Sequence, residues 1–224
     1  MAAPAPTVAH ELPADWQARL RRGLMPAPDH RPEHCRPAGL AMESAAVRAR
    51  LRATWPASLK VAAVLVPIID RVQAPTLLMT VRASHLRRHA GQISFPGGRL
   101  EEQDADIAAA AVRETGEEIG IAPSAIDPIG FLSDHVVQTG YRITPVVALV
   151  QPGVTPEPDG TEVAEVFELP LGLALAAANY RVGRRTIRDV EVDTWELSFG
   201  PYNIWGATAG ILANLRQAFA GATA

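Results

Sequence analysis

The sequence predicts an α/β or α+β domain, and three observations carry the prediction. Val61 to Ile69 is a continuous apolar run of strand length, the signature of a buried strand. Ile107 to Ile119 places apolar residues at helical spacing between a capping aspartate and a glycine. Strand-like runs then interleave with helical ones along the chain. The 224 residues suffice for one domain with a substantial core.

Taken in order, residues 1–40 are rich in Pro, Ala and Arg. Trp16, Leu20 and Leu24 are spaced for one short helix, which Pro26-Ala27-Pro28 and Arg31-Pro32 break. This stretch reads as a weakly ordered or surface-hugging N-terminal arm, and residues 41–224 as a single domain. Glu43 to Trp55 reads as a helix ended by Pro56. Val61 to Ile69 and Thr76 to Val81 are strands joined by a turn over Asp70 to Ala74. Phe95-Pro96-Gly97-Gly98 reads as a tight loop. Asp104 or Asp106 caps the helix that ends at Ile119, with Gly120 at its C′ position. Ile143 to Val150 and Val163 to Phe167 are further strands, and Gly206 to Phe219 is a closing helix. No internal repeat is evident.

Composition excludes several classes. Lys and Arg number 21 against 24 Asp and Glu, a net charge of −3, so there is no global attraction to nucleic acid or anionic membrane. Cys35 is the only cysteine, which rules out an intramolecular disulfide and a cysteine-based metal site. No apolar run approaches the ~18–20 residues of a membrane span. The N-terminus has no signal-peptide core, and Glu11 and Asp15 argue against a transit peptide. The expected compartment is the reducing cytoplasm.

The informative segment is Ile107 to Gly120. At 100° per residue, Ala108, Val112 and Ile119 form one apolar face. Ile107, Ala110 and Ala111 begin a second stripe, which Glu114, Glu117 and Glu118 continue as an acidic one. Like charges at i,i+3 and i,i+4 repel by a few tenths of a kcal/mol per pair, and they crowd the negative end of the helix dipole. Gly116 adds about 1 kcal/mol of helix penalty. A cation resolves this conflict, and hard carboxylate oxygens suit Mg²⁺ or Mn²⁺. Arg113 can fix one carboxylate by a bidentate bond. The alternative is a solvated acidic face with Arg113 in an ordinary surface pair.

Flanking residues bear on that choice. Gly98, followed by Arg113-Glu114-Thr115-Gly116-Glu117-Glu118-Ile119-Gly120-Ile121, resembles the Nudix box, G-x5-E-x7-R-E-U-x-E-E-x-G-U. Thr115 occupies the normally bulky apolar position. Asp104 stands for the early glutamate, with eight residues rather than seven before Arg113. Upstream, Leu78-Met79-Thr80-Val81-Arg82-Ala83, Arg87, Gly91 and Phe95-Pro96-Gly97-Gly98 are similar to the motif of the coenzyme A diphosphatase branch, with Met79 in place of Leu. Thr139 to Pro145 and Ile204 to Ala209 also resemble that branch.

The resemblance implies a Nudix α/β/α sandwich, with a mixed β-sheet between helices. It implies metal-dependent hydrolysis of a diphosphate in a nucleoside diphosphate derivative. Coenzyme A or acyl-CoA would yield 3′-phospho-AMP and (acyl-)4′-phosphopantetheine. The alternatives are ADP-ribose or a dinucleoside polyphosphate, or a nucleotide-sensing Nudix domain without turnover. Expected partners are a small-molecule nucleotide and Mg²⁺ or Mn²⁺, with no nucleic acid and no membrane; a homodimer is left open.

Site residues follow. Glu114, Glu117 and Glu118 are expected to hold metal and Arg113 to orient them. Gly97 and Gly98 let backbone approach a ligand, and in the family a carbonyl of this loop coordinates metal, which points to Gly97. Positive charge gathers at Arg82, His85, Arg87, Arg88 and His89. Of these, Arg82 and Arg87 match the branch motif and are expected to bind substrate phosphate. Glu162, Glu165 and Glu168 lie where many Nudix enzymes carry a further ligand or general base. Glu162 and Glu168 share strand parity and Glu165 faces away, with Glu162 the candidate retained. Trp205 reads as core, with stacking on adenine as its alternative.

Overall fold

The computed structural model describes residues 11–42, 45–86, 89–187 and 190–221. The first element is α1 (Trp16–Gly23), where Trp16 and Leu20, with Leu24 just beyond, are buried in the largest core cluster. Short strands β1 (Arg36–Pro37) and β2 (Leu40–Met42) precede α2 (Ala45–Arg52). Then come β3 (Lys60–Ile69), β4 (Thr76–Arg82), β5 (Ile93–Ser94), β6 (Gly97–Arg99) and α3 (Ile107–Ile119). After these follow β7 (Ile126–Phe131), β8 (His135–Val136), β9 (Tyr141–Val150), β10 (Val163–Pro170) and α4 (Leu171–Leu175). The last elements are β11 (Tyr180–Ile187), β12 (Val190–Phe199), β13 (Tyr202–Trp205) and α5 (Gly206–Gly221).

The main sheet runs β1-β8-β9-β3-β4-β10 and is mixed: β3 is parallel to β9 and antiparallel to β4. The apolar run at β3 now has its reason. Val66 and Ile68 point into a cluster shared with Leu20, Leu212, Leu215 and Phe219. Ala63, Leu65 and Ile69 point the other way, into a cluster with Ile107, Ala110, Ala111 and Ile119 of α3. A strand buried on both faces has no position for a polar side chain, and each large aliphatic so buried contributes ~1.5–3 kcal/mol. Helices thus cover both faces, as the α/β/α expectation requires.

One edge of β3 is divided. Ile68 and Ile69 pair with Leu77 and Thr76 of β4, while Ala62, Ala63 and Val64 pair with Arg99, Gly98 and Gly97 of β6. The Phe95–Gly98 segment is therefore a loop only up to Pro96; its glycines begin a strand rather than a plain turn. The physical reason is close approach. A Cβ on Gly97, whose φ is +153°, would stand 2.3 Å from the Ala63 carbonyl oxygen.

A second sheet, β11-β12-β13 with β2 against β12, occupies a region where the sequence reading placed no strand. β7, paired with β9, was also not anticipated. α3 begins one residue after Asp106, whose carboxylate accepts from the Ala109 N–H at 2.8 Å, so Asp106 rather than Asp104 is the cap. The inward face of α3 also differs from expectation. Ile107, Ala110, Ala111, Thr115, Glu118 and Ile119 are buried, whereas Ala108 and Val112 are only partly so. Thr115 tolerates full burial because its hydroxyl donates to the Ala111 carbonyl at 2.7 Å. Among the described residues, no helix is long and apolar enough to cross a membrane.

Candidate functional site

Packing α3 by its second stripe carries Glu114 and Glu118 toward the β3–β6 pair. Glu118 is buried, and its Oε2 accepts the Gly97 N–H at 3.0 Å. Glu114 lies so close to Gly98 that a Cβ there would stand 2.3 Å from its carboxyl carbon. Gly97 and Gly98 are thus required by both neighbours, one to seat against β3 and one to admit Glu114.

Arg113 ties the cluster together. Its Nε and Nη2 donate to Asp104 at 2.9 and 3.0 Å, and its Nη1 donates to Glu114 at 3.1 Å and Glu117 at 2.9 Å. Nη2 also donates to the Arg99 carbonyl at 3.1 Å. Asp104, which stands at the early glutamate of the box, thus anchors Arg113. The bonds from Arg113 hold its carboxyl below the usual range, and the Glu101 N–H reinforces this at 2.8 Å. Glu117 is 59% exposed and, among the described residues, pairs with Arg113.

Electrostatics distinguish the inner carboxylates. Burial pushes Glu118 up to about 7, with the Glu114 and Glu162 carboxylates adding repulsion, against the Gly97 N–H and the Arg82 charge. Burial also raises Glu114, opposed by Arg113 and assisted by Glu117 and Glu101. Among the described residues, no three His, Cys, Asp or Glu side chains already converge as a closed ligand set. The donor set nevertheless fits a hard divalent cation. Glu114 and Glu118 are desolvated, repel each other and are all-oxygen. A cation would offset the burial that raises both groups.

Glu162 immediately precedes β10 and lines the same cavity. Arg82 Nη2 donates to it at 3.3 Å. The Nε of Arg82 is buried without a partner among the described residues. Glu165 instead accepts from the Tyr202 hydroxyl, and Glu168 accepts from Arg71 and Thr76, each at 2.6 Å. Strand parity does not group these three as expected, because a register shift between Val163 and Glu165 interrupts the ladder with β4. Arg87 and Arg88 lie outside the described residues. His89 lines the cavity and bonds Gln92 at 2.7 Å, while His85 is exposed.

The cavity measures about 980 Å³. Glu114, Gly98, Arg82 and Glu162 stand on one part of its wall; Leu40, Leu51, Trp55 and Ile187 supply an apolar part. Trp205 is on this wall and absent from the buried core clusters, so the core reading is corrected. Sequence reasoning missed Arg99, Tyr141 and Arg185, which also line it. The arginine recurrence in Arg181-Val-Gly-Arg184-Arg185 was the available signal.

A family model described as the NUDIX domain matches residues 59–190. The protein described as uncharacterized Nudix hydrolase NudL of Escherichia coli O1:K1 / APEC is 44% identical over 154 residues, covering 69% of this chain and 80% of the relative. Its namesake in Shigella boydii serotype 18 matches to the same extent. The crystal structure of RenU, a Nudix hydrolase from M. smegmatis, shares the fold with a TM-score of 0.51 at 18% identity, covering 73% of this chain and 88% of that one.

Proposed function

The chain belongs to the Nudix hydrolase family, and from that premise we propose that it hydrolyses the diphosphate of coenzyme A or an acyl-CoA, with Mg²⁺ or Mn²⁺ held at Glu114, Glu117 and Glu118. The observation that carries this reading is the cavity. Its 980 Å³ lies at the upper end of the ~300–1,000 Å³ usual for ligand pockets. Its glutamate-lined part adjoins an apolar wall, which suits a diphosphate joined to a long, largely uncharged arm. The upstream Arg82-to-Gly98 motif supports the same branch.

When bound, the metal would polarise the phosphoryl oxygens and lower the pKa of an attacking water. The chain does the rest. Arg113 fixes Glu114 and Glu117 through one guanidinium that is itself fixed by Asp104. Gly97 holds Glu118 by its N–H and is the candidate for a carbonyl donor. Arg82, on the cavity wall beside Glu162, would donate from its guanidinium to a diphosphate oxygen. Glu162, on the cavity wall and open to solvent, would accept the proton of the water as the water oxygen bonds to one phosphorus and the bridging phosphorus–oxygen bond breaks, the second phosphate leaving with the bridging oxygen.

The deciding experiment incubates the protein with coenzyme A, ADP-ribose and dNTPs in Mg²⁺ or Mn²⁺. Chromatography should show 3′-phospho-AMP and 4′-phosphopantetheine from coenzyme A. Cleavage of ADP-ribose with coenzyme A left intact would overturn the substrate and leave the family standing.

A further inference from the structure

The diphosphate chemistry occupies one part of the cavity. Another part is walled by the second sheet, where Arg185 on β11 and Trp205 on β13 meet across β12. The guanidinium carbon of Arg185 lies over the Trp205 indole, 4.4 Å from the ring centroid. Glu196, the register partner of Trp205, accepts from Arg185 Nη2 at 2.6 Å. Room for that carboxylate exists because residue 183 is glycine: a Cβ there would fall 2.5 Å from Glu196 Oε1. Arg185 Nε is buried without a partner among the described residues.

A salt bridge already compensates the Arg185 charge, and the Glu196 carboxylate would repel a phosphate placed beside it. What this wall offers a ligand is a flat cationic and aromatic surface. Planar heterocycles stack on such guanidinium and indole faces. We propose that Arg185 and Trp205 form the nucleobase subsite, receiving the base of the substrate while its diphosphate lies at Glu114 and Arg82. The inference rests on the reading of the substrate as a nucleoside diphosphate derivative. It makes the second sheet a specificity element and gives the ligand a direction within the cavity.

Calorimetric titration with ADP and with inorganic diphosphate, each in Mg²⁺, tests it without requiring turnover. Trp205→Leu and Arg185→Lys should each weaken ADP about 10-fold, within the range for losing one base-stacking partner. Trp205→Phe, which keeps an aromatic face, should stay within about threefold of wild type. All three should bind inorganic diphosphate as wild type does. Unchanged ADP affinity in Arg185→Lys and Trp205→Leu overturns the subsite. Equal weakening of both ligands also overturns it, and assigns the trio to tying the sheet together. Arg185→Lys and Trp205→Phe carry the decision if Trp205→Leu melts early. Wild-type protein that binds neither ligand overturns the diphosphate reading along with the subsite. Wild-type protein that binds ADP no better than inorganic diphosphate overturns the subsite alone.

Discussion

Glu118 and Glu168 are the same side chain in two settings. Burial would raise Glu168, but hydrogen bonds from Arg71 and Thr76 outweigh it and hold the carboxyl below its ordinary range. Glu118 is buried more deeply, receives one backbone N–H from Gly97, and faces the Glu114 and Glu162 carboxylates. An ionised carboxylate offers about four acceptor sites, so Glu118 keeps capacity beyond the one bond it accepts among the described residues. Glu168 ties its strand to Arg71 and Thr76. Glu118 is held by the fold in a setting that disfavours its charge.

Replacing each glutamate by Gln should expose the contrast, and the largest effect belongs to Glu118. Glu118→Gln should lower kcat about 10³-fold, as for removal of a strong electrostatic contact. The melting temperature of the metal-free protein should hold or rise, because an unfavourable buried charge is removed. Near-normal turnover in saturating Mg²⁺ would take Glu118 out of the site.

Glu162 and Glu165 sharpen the comparison next. Glu162→Gln should lower kcat about 10²-fold, the lower end for a general base, with Glu165→Gln close to wild type. The reverse ranking in steady-state kinetics would transfer the role to Glu165. Arg82→Ala should lower kcat/KM about 10-fold, equally on coenzyme A and on 3′-dephospho-coenzyme A, since Arg82 stands beside Glu162. A loss confined to coenzyme A would make Arg82 a reader of the 3′-phosphate instead.

The smallest effect belongs to Glu168. Glu168→Gln should leave kcat unchanged and cost about 1 kcal/mol of stability, because the pair is partly exposed. Its folded pKa is depressed below the ordinary 4.5, so its stabilising contribution is present above that value and fades as pH falls through the folded pKa. Melting curves of wild type and Glu168→Gln should therefore differ most near neutral pH and converge in acid. A gap that persists below the folded pKa would mean that packing rather than charge accounts for the loss.

The legible parts of the molecule were those with a strong local signal. The run at β3, the capped helix α3 and the glutamate spacing are readable because periodicity, caps and glycines agree. The early box position was legible as a departure, yet only the bonds from Arg113 show what Asp104 does. The second sheet escaped because β11 alternates with exposed arginines rather than with a clear apolar set, and β13 has only four residues. Val190, Val192 and Thr194 do alternate inward, a signal that could have found β12. Glu168 was grouped with Glu162 for a different reason. A one-residue irregularity in a ladder reverses every parity inference beyond it, and sequence does not display the irregularity.

The seam between α1 and α5 bears on how the chain is made. A Cβ on Gly23 would stand 2.0 Å from the Ala218 carbonyl oxygen, and Arg19 lies over the Phe219 ring at 5.7 Å. α1 emerges from the ribosome before α5, so the apolar stripe of Trp16, Leu20 and Leu24 must wait for the later helix that packs against it. The final closure is therefore a long-range event, and a nascent chain halted before α5 displays a sticky helix to its surroundings. Chaperone capture and premature degradation should fall most heavily on chains in that interval.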